Sequence, residues 1–126
     1  MSNMGALNEI IETLAVTLGA VIGPNPPLGG VSIVQSGGGL PDKHLDANMI
    51  SRAQIILTSK DKDQNTALEM AFNAHKTLTK TFTYTSGDAW QIYDIATITF
   101  PELATIEPEG AYLYTSVLEI TYYWRD

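Results

Sequence analysis

The amino-acid sequence predicts an α+β fold: a four-stranded, mainly antiparallel sheet with two helices packed on one face, in the order helix, strand, strand, helix, strand, strand. Three observations lead there. Two segments place apolar residues three and four positions apart, the repeat of one helix face, and four others are β-branched or alternate in twos. Their order, with strands following each helix in pairs, suits an antiparallel or mixed sheet with its helices on one side. The length of 126 residues fits a single domain spanning 1–126.

From about Ala6 to Ala20, the residues Leu7, Ile10, Ile11, Leu14 and Leu18 form one stripe, which predicts an amphipathic helix. Gly19, Gly23 and Pro24-Asn25-Pro26-Pro27 end it and predict a rigid connector. Val31 to Gln35 is the first expected strand. Gly37-Gly38-Gly39 then opens a loop to about Asn48 that is expected to be mobile. Ile50 to Ser59 is the second strand, followed by a solvated turn over Lys60-Asp61-Lys62-Asp63.

The second helix is expected from Asn65 or Thr66 to Thr79, with Thr66 and Glu69 at capping-box spacing. Ala67, Met70, Ala71, Ala74 and Leu78 make its buried stripe, widened by Leu68 and Phe72, and the alanines allow close approach to a sheet. Trp90 to Phe100 reads as the third strand, with Trp90, Ile92, Ala96, Ile98 and Phe100 on one face, Asp94 as the exception, and Pro101 as its end. A loop through Glu102, Glu107 and Glu109 leads to the fourth strand, Ala111 to Trp124. Tyr112, Tyr114, Leu118, Ile120, Tyr122 and Trp124 share one of its faces, and Leu113, Val117 and Tyr123 the other.

Composition removes several function classes. Hydrophobic residues at 44% and charged residues at 17% are ordinary for a globular chain. The absence of cysteine excludes disulfides, thiolate metal sites and a thiol nucleophile. A net charge of −7 opposes tight binding to a phosphate backbone. The apolar run Leu14 to Ile22 is too short to cross a bilayer, so no membrane partner is expected, and Met1 to Gly5 lacks the basic start of a signal peptide.

The motifs that could carry chemistry are weak. Asp42, His44 and Asp46 offer an imidazole and two carboxylates to a divalent metal, but as neighbours on a Gly-rich loop they are not pre-organised, and a turn at Pro41-Asp42 accounts for them. A small-ligand or metal-binding domain using the 36–48 loop is the alternative function. Asp61, Asp63 and Asn65 imitate the opening of a calcium loop, yet Thr66 and Phe72 stand where its glycine and bidentate glutamate belong. Gly37-Gly38-Gly39 lacks the Lys-Ser/Thr of a phosphate loop. A hydrolase would have to use His44 or His75, and no serine lies in a nucleophile elbow. His75 is read as a helix flank at the core's edge. Asp94 is read as a sheet-edge residue or a partner of Arg52 or Arg125, with an acid of raised pKa as the catalytic alternative. No catalytic residue, metal site or cofactor is assigned.

What remains is aromatic bulk on both faces of the last two strands. Tyr93, Tyr112, Tyr114, Tyr123 and Trp124 are therefore candidate contacts with a partner, together with Asp42, His44, Glu107 and Glu109 in the two polar loops, 36–48 and 102–110.

The order of several short patterns resembles the tail terminator and minor capsid proteins of long-tailed bacteriophages, which serve head–tail joining and tail completion. These are the opening helix, Leu40-Pro41-Asp42 in a loop, Asp63-x-x-x-Ala67 opening the second helix and His75-Lys76-Thr77-Leu78 near its end. Phe100-Pro101-Glu102-Leu103 and Glu109-Gly110-Ala111-Tyr112 complete the set. The resemblance implies a non-enzymatic virion protein, made in the host cytoplasm and placed at the head-proximal end of the tail. It also implies a homomeric ring, often a hexamer, with a tail tube protein and a head-completion or connector protein as partners. DNA would pass through the ring without specific binding, and an acidic lumen would let it slide.

Overall fold

A computed structural model describes residues 3–36, 48–81, 86–87 and 89–125. Helix α1 (Asn3–Leu18) is followed by strands β1 (Val21–Ile22), β2 (Gly30–Ser36) and β3 (Asn48–Asp61). Helix α2 (Gln64–Lys76) runs into a π-helical turn, Thr77–Thr81, and strands β4 (Trp90–Ile106) and β5 (Tyr112–Arg125) complete the chain. The sheet has five strands in the order β1-β2-β3-β5-β4. Among the described residues only β1 and β2 pair in parallel; the other pairs are antiparallel. The α+β class and the two helices on one face agree with the sequence, whereas the sheet is five-stranded and mixed rather than four-stranded.

The additional strand arises from how α1 stops. Gly19 takes φ 65°, its N–H donates to Val16 O at 3.2 Å, and the Ala20 N–H donates to Ala15 O at 2.9 Å. This satisfies the last carbonyls of the helix at a backbone angle that glycine tolerates best. The chain then turns back along the sheet, with Val21 opposite Ser32 and Ile22 opposite Ile33. The segment expected to be a connector therefore begins as an edge strand.

One face of the sheet makes the core. Ile55 and Leu57 of β3, Ile33 of β2, and Leu118, Ile120 and Tyr122 of β5 pack against Leu7, Ile10, Ile11 and Leu14 of α1. Under α2, Ala67 and Ala71 close on Tyr114, and the Ser59 hydroxyl donates to Ala67 O at 2.7 Å. The alanines do bring the helix close to the sheet. Phe72, expected in that buried stripe, is instead 45% exposed. Nor does the Thr66–Glu69 box form: the Thr66 hydroxyl donates to Asp63 Oδ2 at 2.6 Å, and the Asp63 N–H donates to Asp61 Oδ1 at 2.8 Å. Lys60 and Asp61, expected in a turn, are the last residues of β3.

Strand β4 differs most from its sequence reading. Its register against β5 shifts between Ile92 and Asp94, and again at three later points. A bulge reverses the alternation beyond it. Ile95 therefore reaches the core beside Trp90 and Ile92, while Ala96, Ile98 and Phe100 are exposed and Asp94 faces out of the core. Pro101 does not end the strand, which continues to Ile106 through a register shift between Thr99 and Glu102. On an edge strand a residue without an N–H is tolerated, because no ladder bond is owed on the open side. Residues 102–106, expected in a loop, thus belong to this strand.

Candidate functional site

Strand β4 and helix α2 enclose a groove of about 360 Å³ lined by Phe72, Asn73, His75, Lys76, Thr79, Lys80, Thr97 and Phe100. Helical spacing sets Phe72, His75, Lys76 and Thr79 along one flank. The π turn carries that flank on to Lys80, and β4 supplies Thr97 and Phe100 opposite. Phe100 is 66% exposed, its ring centroid 5.4 Å from that of His75. Two aromatic walls and two lysines therefore frame one opening.

His75 is buried at the base of this arrangement, with Nε2 2.7 Å from the Thr97 hydroxyl. Its Nδ1 has no hydrogen-bond partner among the described residues. A histidine beside a hydroxyl is the start of a nucleophile–base pair, but a working triad also orients the base through its second nitrogen. The geometry gives His75 a packing role that anchors α2 to β4, closer to the core than the flank read from sequence.

Burial holds the His75 imidazole below its usual pKa of 6.5. The folded chain keeps the ring neutral, whereas the unfolded chain takes up a proton as the pH falls below that value. The stabilising contribution of the neutral ring is thus complete above the unfolded pKa and declines as the pH falls from there toward the folded one. The melting temperature is expected to be lower near pH ~5.5 than near pH ~7.5, with a smaller difference in His75→Gln. Equal differences in the two proteins, measured by thermal melts, would contradict this.

Other candidate residues distribute over three regions. Tyr114 and Trp124 are buried on the helix side, where the Trp124 Nε1 donates to the Ser51 hydroxyl at 2.8 Å and Gln64 Nε2 donates to the Tyr114 hydroxyl at 3.0 Å. Both aromatic groups are committed within the subunit, packed beneath the helices. Tyr112 is half-buried beside Ala67 and Ala71. Tyr93 and Tyr123 meet edge to face at 6.4 Å, and Tyr93 is exposed. Tyr122, absent from the candidates, is wholly buried; desolvation pushes its hydroxyl up to about 12 against a hydrogen bond with Ser51.

Glu107 and Glu109 lie around the β4–β5 turn. Lys60 Nζ sits 2.6 Å from Glu107 Oε1 and 3.9 Å from Glu109 Oε1. The Lys60 contact holds the Glu107 carboxyl below its usual pKa and raises that of Lys60. These acids brace the hairpin end against β3, and Glu109 keeps the more open carboxylate. Asp42, His44 and Asp46, with Gly37-Gly38-Gly39, fall outside the described residues. Among the described residues no three His, Asp or Glu side chains converge in a metal-binding group, and no helix is long and apolar enough to cross a membrane.

Exposed apolar side chains gather at both ends of the strand order. At one end β4 presents Ile98, Leu103 and Ile106; at the other stand Val21 and Ile22 of β1 with Val16 of α1. The face of the sheet away from the helices carries half-buried Val34, Ile56, Leu113, Val117 and Tyr123, with no helix packed on it among the described residues.

This architecture, a two-helix, mixed-sheet α+β fold, is shared with a solved structure. The chain matches a chain of the virion of a native gene transfer agent particle with a TM-score of 0.54 and 15% identity, over 94% of this chain and 96% of that one. No protein-family model matches the sequence, nor does any curated protein.

Proposed function

We propose that the protein is a structural, non-enzymatic component of a phage-like virion, a tail terminator that assembles as a homomeric ring and joins the tail tube to the head. The observation that carries this reading is the end-to-end likeness of fold to a chain of a gene transfer agent virion, with 94% of one chain laid on 96% of the other. The surface supports the same reading: apolar residues concentrate at two sheet edges, where large exposed patches favour protein contacts. A hexamer is the expected ring, with a tail tube protein on one side and a connector protein on the other. The excess of acids, −7 overall, suits a ring through which DNA slides without adhering.

Of the partner contacts read from sequence, Tyr93, Tyr123 and Glu109 keep surface that a neighbour can reach. Adding the purified protein to a polymerising tail tube protein from the same genome should cap tubes at one end and shorten them. Tubes of unchanged length with no protein at their ends would overturn the terminator role.

A further inference from the structure

We infer that the groove between α2 and β4 receives the β1 edge of a second copy of this chain, so that subunits join head to tail. The inference rests on reading the chain as a self-assembling subunit and specifies which surfaces meet. The two surfaces differ, and they lie at opposite ends of the strand order. Four inter-strand steps separate β1 from β4, roughly 19 Å at the usual strand spacing. A contact between unlike surfaces on opposite edges is heterologous, and repetition of such a contact closes a ring when the rotation permits.

Their chemistry is complementary. The groove offers Phe72 and Phe100, 45% and 66% exposed, with Lys76 and Lys80 at its rim. The β1 edge offers Ile22, 56% exposed, and Glu12 beside it on the flank of a shallow hollow. An aliphatic side chain between two aromatic rings, with one carboxylate set against two ammonium groups, supplies both apolar burial and a fixed register. In a chain with seven lysines and arginines against fourteen acids, two cations framing one apolar opening favour an acidic visitor. Pairing of β4 backbones is the less suitable route, since its register shifts and Pro101 interrupt the open edge.

Charge reversal tests the pairing. Glu12→Lys and, separately, Lys76→Glu with Lys80→Glu should each weaken self-association at least about tenfold while leaving the melting temperature near that of the parent, because all three side chains are exposed. Mixing the two variants should restore assembly, since every edge then finds a groove of opposite charge. A single chain carrying all three changes should also assemble. A parallel pair, Ile22→Asp and Phe100→Asp, should be monomeric separately and form a one-to-one dimer when mixed. Assembly that survives the separate charge reversals, or a mixture that stays monomeric, overturns this contact and leaves ring formation standing. A parent protein that is monomeric at every concentration overturns both.

Discussion

Leu118→Ala is expected to lower the free energy of unfolding by about 2–5 kcal/mol, the range for deleting a buried leucine from a close-packed core. Leu118 is fully buried at the middle of β5, opposite Ile55 of β3 and Thr97 of β4. Its side chain belongs to the cluster that α1 shares with four strands, so the cavity would open where the layers meet and no single element could collapse to fill it. A domain of this size commonly has a stability of about 5–15 kcal/mol, so the loss would be a large fraction of the total. Urea titration should show a lower midpoint with an unchanged slope. A midpoint within error of the parent would mean that the central layer is packed differently.

The opposite error in volume, Ala67→Leu, is expected to cost about 1–3 kcal/mol by overpacking. Ala67 is fully buried where α2 crosses Tyr114, and its carbonyl accepts the Ser59 hydroxyl. Three additional carbons there would push the helix off the sheet and break that bond. They would also displace the α2 flank of the groove, so self-association should weaken along with stability. A melting temperature equal to the parent's would show that the helix does not lie as close as described.

These two sites differ in how openly the sequence announces them. Leu118 stands in an alternating run whose even positions all face inward, and Ala67 in a helical stripe of small residues; period alone locates both. The stripe of α1 was equally legible, because one uninterrupted segment satisfies its own backbone bonds. Strand β1 was not, since two residues have no period and are held in parallel by β2, a segment eight residues downstream of Ile22. Strand β4 departs from its alternation for a related reason: a bulge depends on the partner's register, so the exposure of Ile98 and Phe100 and the burial of Ile95 follow from pairing with β5.

The groove was hidden more thoroughly. His75 and Thr97 lie 22 residues apart and are brought together by the packing of α2 on β4, and Phe72 reads as core until the face of the helix is known. Aromatic excess in the last strands did signal a surface, but it could not distinguish the exposed Tyr93 from the buried Tyr114 and Trp124. The opposite edge carried no visible cue, because Glu12 and Ile22 belong to different elements and become neighbours only when the chain reverses at Gly19.

Sedimentation velocity of the unmodified protein over a wide range of concentrations tests the central claim, that this chain is built to meet copies of itself, most directly. A discrete, faster species of fixed stoichiometry, growing at the expense of monomer as concentration rises, is the predicted result. A single monomeric boundary at every concentration and salt would contradict it.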